Sequence, residues 1–118
     1  MRIHHLALRV RDLETCRRFY AETLGLEVME SHAHSIWFRA GDVVLMLEQS
    51  LRGRGSDEGS GHVLALAVEE LLPWEERLAA AGIPIDDRTP KTLFLRDPEG
   101  HRVALSTYRF PSVTGQAP

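Results

Sequence analysis

His5–Leu13 reads HLALRVRDL, and Val63–Leu71 reads VLALAVEEL. Laid over one another at an offset of 58 residues, they share five identities in nine positions. Setting His62 on His5 instead leaves one identity in nine. Self-similarity of this kind marks an internal repeat. The same offset sets Met46 opposite Ala104 and Leu47 opposite Leu105, a weaker match.

The segments around the repeat fall into the same order twice. IHHLALRV (residues 3–10) alternates as a strand does. Asp12 can cap a following helix, because its carboxylate can accept free N–H groups of the first turn. Leu13, Cys16, Phe19, Tyr20 and Leu24 then form one apolar stripe at helical spacing, stopped by Gly25. LEVMES, SIWFRA and DVVLMLEQ follow as strands, with a turn at Gly41-Asp42. In the second half HVLALAV is a strand. Leu71, Trp74, Leu78 and Ala81 mark a helix with Pro73 in its first turn, and Gly82 and Pro84 end it. A weak extended piece at 83–88 precedes the strands TLFLR and HRVALSTY. Between those two, DPEG has the chemistry of a type I turn. The order is β-α-β-β-β, twice, in an α+β chain. Module one covers about residues 2–49 and module two about 62–108. The Gly/Ser-rich segment 50–61 is expected as a loop, and 109–118 as a loose tail.

Length and composition bound the function. The chain has 118 residues, 43% hydrophobic and 26% charged, which suits one domain. A net charge of −3 argues against nucleic acid or an anionic membrane as partner. The opening MRIHHLALRV is too short and polar for a signal peptide, and no apolar run has membrane length, so a cytoplasmic location is expected. Cys16 is the only cysteine, which excludes an internal disulfide and a paired-cysteine metal site.

The register decides how the histidines are read. Strand side chains alternate faces, so a one-residue slip sends a side chain to the other side of the sheet. At the 58-residue offset Val63 takes the place of His5, and His62 points away unless a bulge restores it.

The opening H-x-A-L-x-V-x-D-L, a helix with F-Y and L-G-L, and the closing D-P-E-G-H-x-V resemble the vicinal oxygen chelate superfamily over about residues 2–108. That group includes glyoxalase I, methylmalonyl-CoA epimerase, fosfomycin-resistance enzymes, extradiol dioxygenases and bleomycin-resistance binding proteins. The resemblance implies two modules curling a sheet around a cup, with helices outside, and a homodimer. In metal-using members the ligands come from the first and last strands of each module. Carried over, those positions are His5, Met46, Val63 and Ala104. Only His5 matches; the closing motif, usually G-x-x-(I/V)-E-L, reads GHRVAL, with Ala104 at the carboxylate position. A catalytic divalent ion normally needs three protein ligands. Glu48, two residues beyond Met46 on the same strand face, offers at most a second.

The candidate site is therefore ligand-binding: His5, Arg9, Trp37, Met46, Glu48, Val63 and Ala104. Arg9 shares a face with His5 and can meet an anion through its planar fork, or form a rim salt bridge with Glu48. Trp37 can stack on a ring or pack the core. Met46, Val63, Ala65, Ala67 and Ala104 make an apolar or small wall, which suits an organic ligand or a filled core. His4 is expected to face away from His5, and His32 and His34 to mark a surface turn with chelating spacing. His101 is expected to be exposed, Trp74 to be core, and Cys16 to be a small buried hydrophobe. The expected function is metal- and cofactor-independent binding of an aromatic or amphipathic small molecule. The alternative is an isomerase, epimerase, lyase or dioxygenase using His5 and Glu48, with or without a metal. A third reading is a structural or regulatory domain whose cup is filled by its own side chains.

Overall fold

Asp12 starts the first helix as the sequence requires: its carboxylate accepts the Thr15 N–H at 3.0 Å and the Thr15 hydroxyl at 2.8 Å. The structure, a computed structural model, describes residues 1, 3–49 and 62–109. The expected loop at 50–61 lies outside the described residues, and so does the tail beyond 109. The elements are β1 (His5–Val10), α1 (Leu13–Arg18), β2 (Glu27–Ser31), β3 (Ser35–Ala40), β4 (Val43–Gln49), β5 (Leu64–Ala67), α2 (Leu72–Ala80), β6 (Asp87–Thr89), β7 (Thr92–Arg96) and β8 (Arg102–Ser106). They form the β-α-β-β-β order twice.

α1 runs on into one wider π-helical turn, Phe19–Thr23, closed by Leu24 N–H on the Phe19 carbonyl at 2.9 Å. Gly25, at φ 81°, then ends it in a conformation that glycine adopts without steric cost. Four of the five stripe residues are buried as expected, Cys16 and Tyr20 fully and Phe19 and Leu24 at 5% and 6% exposure, while Leu13 at the helix start is half-buried. The stripe packs on Ile36, Phe38, Leu45 and Leu47, the inner face of the first sheet.

That sheet has the order β1-β4-β3-β2, with β1 parallel to β4. The second has the order β5-β8-β7-β6. The repeat reappears in the strand pairing. Leu6 pairs with Leu45 and Leu64 with Val103, each partner displaced by the same 58 residues. β5 begins at Leu64, so His62 and Val63 both precede the paired strand, and both are exposed.

The chain divides into two compact units, drawn from Met1–Val63 with Arg96–Arg102, and from Leu64–Leu95 with Val103–Pro118. The second unit is centred on Leu78, Leu93, Leu95, Val103 and Leu105, all at most 1% exposed. Its helix starts with Pro73 in the first turn, as expected. Trp74, expected in the core, is only half-buried and lies under the Arg77 guanidinium, 5.1 Å from the ring centroid. The reason is the narrow apolar stripe of α2, whose only buried residue is Leu78.

Candidate functional site

Alternation along β1, β4 and β3 gives the first sheet two unlike faces. One is the core just described. Strand pairing arranges the other in three rows. His5 pairs with Val44, and Val44 with Arg39; Ala7 pairs with Met46, and Met46 with Trp37; Arg9 pairs with Glu48, and Glu48 with Ser35. Successive rows lie roughly 7 Å apart along the strands. His5, Ala7, Arg9, Arg39 and Glu48 are exposed, while Ser35, Trp37, Val44 and Met46 are half-buried. A mostly apolar central row thus lies between two polar ones. Five of the sequence-predicted residues share this face: His5, Arg9, Trp37, Met46 and Glu48.

Arg9 and Glu48 are direct partners across parallel strands, yet no salt bridge joins them. Among the described residues neither side chain has an ion-pair or hydrogen-bond partner. Arg39, on the far row, is held by Glu27 at 3.3 Å. The Trp37 indole leans toward His32, with ring centroids 5.0 Å apart. Its N–H is buried with no acceptor among the described residues.

The remaining predicted residues lie elsewhere. Val63 is 41% exposed, ahead of β5. Ala104, on β8 opposite Ala65, is 2% exposed. A residue buried to this extent presents little wall to a ligand; Ala65 and Ala67 are the exposed small residues of that sheet.

The histidines correct several expectations. His4 does not stand apart from His5: their Nδ1 atoms are 2.8 Å apart and the rings meet edge to face. Pairing of β1 starts at His5, so no strand ladder holds His4 on the far side. His32 and His34 lie in the expected exposed turn, between β2 and β3, and their rings go to separate partners. His32 Nε2 meets the Glu30 carboxylate and His34 Nδ1 meets the Gln49 amide oxygen, each at 3.0 Å. His101 is half-buried rather than exposed, with Nε2 2.8 Å from the Arg9 carbonyl.

That last contact belongs to a cluster built on the DPEG turn. Gly100 N–H closes DPEG onto the Asp97 carbonyl at 3.0 Å. Asp97, 4% exposed, accepts the Tyr20 hydroxyl at 2.7 Å and the N–H groups of Glu99 and His101 at 2.9 and 2.8 Å. Burial raises its pKa, and these hydrogen bonds offset the rise only in part. Glu99 accepts from Asp12 N–H at 3.2 Å and Arg11 Nε at 3.4 Å. Burial pushes the Glu99 pKa up, but hydrogen bonds from the Arg11 and Asp12 backbone and the Arg11 side chain outweigh it and leave the carboxyl below its usual range. Residues 97–101 therefore hold Arg11 and Asp12, the junction of β1 and α1, two to three residues beyond Arg9. The quoted motif D-P-E-G-H contained every residue needed; its distant partners left no periodic trace.

The donor set can be tested against a metal. Among the described residues no three His, Cys, Asp or Glu side chains gather to hold an ion. His5 and Glu48 sit four positions apart on neighbouring strands, roughly 13 Å along the sheet. One imidazole at the superfamily's ligand positions does not fit the usual three-ligand catalytic site. What the face offers chemically is a guanidinium for an anion, a carboxylate for a cation or a proton, a hydroxyl, and an apolar floor.

A separate open groove of about 780 Å³ runs along the start of α1, lined by residues that include Arg11, Asp12, Glu14, Arg17, His32 and Gln49. Its arginines are already engaged, Arg11 with Glu99 and Arg17 with Glu14.

Comparison with known proteins agrees with the topology. Glutathione transferase FosA from Serratia marcescens is 27% identical over 111 residues, covering 87% of this chain and 78% of the relative. The crystal structure of lactoylglutathione lyase from Agrobacterium tumefaciens superposes with a TM-score of 0.72 at 23% identity, over 89% of this chain and 92% of that one. The fosfomycin resistance protein FosX from Mesorhizobium loti gives 0.75 at 19% identity, over 92% and 93% of the two chains. These two structures share the fold. No helix among the described residues is long and apolar enough to cross a membrane. A sequence model of one superfamily matches residues 2–105, nearly the whole described chain. The protein belongs to the Glyoxalase/Bleomycin resistance protein/Dioxygenase superfamily.

Proposed function

We propose that the protein binds a small aromatic or amphipathic organic molecule on the open face of its first sheet, without a metal or other cofactor. The observation that carries this reading is the central row Ala7–Met46–Trp37 beside the Arg9–Glu48–Ser35 row, whose two charged groups have no partner among the described residues. An apolar floor with few polar handles is the usual make-up of a small-molecule site. His5, on the opposite row, supplies a third handle. Val63 and Ala104 take no part in this version of the site. The ion-free reading rests on the donor set: one superfamily ligand position is filled, and Glu48 lies roughly 13 Å from it along the sheet.

A homodimer belongs to the same reading. β1 is the edge strand of its sheet, and Leu6 on its inner face is 43% exposed, with Ile3 just before it at 64%. Edges of this kind are usually covered. The buried free thiol of Cys16 suits the reducing cytoplasm.

The test joins a thermal-shift screen of aromatic and anionic compounds to a divalent-ion titration of the purified protein. Stabilising hits lost in Arg9→Gln and Trp37→Ala support the reading. A stoichiometric ion bound at micromolar affinity sinks its metal-free part.

A second reading, an enzyme, draws on Glu48. An unpaired carboxylate beside an apolar floor is placed to act as a general base, and the named activities of the lyase and transferase relatives make turnover worth screening. Glu48→Gln separates the two readings: proton abstraction is abolished, whereas an aromatic anion held by Arg9 and Trp37 still binds.

A further inference from the structure

The row of Arg9, Glu48 and Ser35 carries opposite charges side by side. Their Cα atoms are in register across parallel strands, about 4.8 Å apart. Other arginines of the described chain with a carboxylate in reach use it: Arg11 with Glu99, Arg17 with Glu14, Arg39 with Glu27 and Arg88 with Glu75. Arg9 has a carboxylate as its register partner and leaves it free.

Such a row is selective by electrostatics alone. A simple anion drawn to Arg9 meets the repulsion of Glu48, and a simple cation drawn to Glu48 meets that of Arg9. A group carrying an ammonium and a carboxylate on one carbon satisfies both residues at once. Its carboxylate takes the guanidinium fork, where paired N–H bonds are short and strong. Its ammonium takes the Glu48 carboxylate. The next row along the strands, roughly 7 Å away, is Ala7, Met46 and Trp37. Ala7 is the small member of that row and leaves space above it, while Met46 and Trp37 offer a polarizable and an aromatic surface.

We infer that the ligand of this face is a zwitterion of the α-amino-acid type bearing an aromatic or large apolar side chain. Its charged end is held by Arg9 and Glu48, and its side chain lies over Met46 and Trp37. This inference rests on the proposed binding reading and narrows its ligand class.

Three probes of equal ring size test it by calorimetry on the full chain: L-phenylalanine, 3-phenylpropanoate, which lacks the ammonium, and 2-phenylethylamine, which lacks the carboxylate. The expected result is at least tenfold tighter binding of phenylalanine than of either analogue. Glu48→Gln should erase the preference over phenylpropanoate, and Arg9→Gln the preference over phenylethylamine. Both positions are exposed, so unchanged melting curves should accompany these losses. Equal binding of all three, or a preference that survives both substitutions, overturns the inference. If phenylpropanoate binds as well as phenylalanine and is lost in Arg9→Gln, the binding reading stands and only the zwitterion is wrong. If none of the three binds, the zwitterion is likewise rejected, and the binding reading is judged by the compound screen alone.

Discussion

Tyr20 donates its hydroxyl to the buried Asp97 carboxylate at 2.7 Å, across 77 positions of chain. The bond joins the π-helical turn after α1 to the turn between β7 and β8. Tyr20 sits among Phe19 and Phe38, with ring centroids 5.0 and 6.0 Å away, so the phenol is held where its proton meets Asp97. Hydrogen bonds to a charged group contribute about 1.5–3 kcal/mol. Tyr20→Phe keeps the ring and removes only the donor. It should cost that amount in denaturant unfolding, with no change in the far-ultraviolet circular dichroism of the backbone.

The same carboxylate makes a pH prediction. Burial holds the folded-state pKa of Asp97 above its ordinary value of 3.8. The folded protein therefore binds a proton at this site before the unfolded chain does. Stability from this group is fully present below the unfolded pKa and is lost as pH rises through the folded one. Acidification from neutral toward 3.8 should thus favour the parent protein over Asp97→Asn. The stability gap between the two, measured in urea at several pH values, should widen on the acid side. A gap that narrows there would mean that the carboxyl sits below its ordinary range.

Two glycines offer a cleaner measure of backbone strain. Gly41 and Gly82 have φ of 63° and 72°, and a Cβ added to either meets no atom within 4 Å. Alanine at these positions suffers conformational strain and no collision. Each substitution should destabilise by about 1–2 kcal/mol, the left-handed penalty for a residue with a Cβ. A much larger loss at either site would point to a contact with residues beyond those described.

The repeat was legible because strand alternation and sequence identity agreed on one offset. The pairings of Leu6 with Leu45 and Leu64 with Val103 preserve that offset. The shared face of His5, Arg9, Met46, Trp37 and Glu48 followed from period-two alternation, which needs no tertiary information. What stayed hidden was non-local. Nothing near Asp97 announces Tyr20, and nothing near His101 announces the Arg9 carbonyl. Trp74 misled because an aromatic at helical spacing implies burial only where the helix face has something to cover it. His4 misled because alternation holds only inside a paired strand, and β1 begins one residue later.

Metal addition and removal test the donor-set argument directly. Excess chelator should leave the melting temperature unchanged. Zinc, manganese or nickel near micromolar concentration should not raise it, since a ligand at free concentration L that binds only the folded state stabilises by RT ln(1 + L/Kd) and an unbound ion adds nothing. An ion-dependent rise abolished by His5→Ala would show that partner groups outside the described residues complete a site.

Trp37 separates packing from binding. Its indole N–H is buried without an acceptor among the described residues, an arrangement that costs about 1–3 kcal/mol. Trp37→Phe removes that unmet donor and also part of the buried ring, and the two effects oppose one another. The net change in stability should stay within about 1 kcal/mol, the small end of core aromatic changes. Trp37→Ala removes the ring from a half-buried position beside Met46 and should cost clearly more. The two substitutions diverge further on ligand affinity. If the ring is the floor of a binding face, phenylalanine there keeps most of the affinity for an aromatic probe and alanine loses it. If Trp37 is only structural, calorimetry at a temperature where both variants are folded should find the same affinity in each.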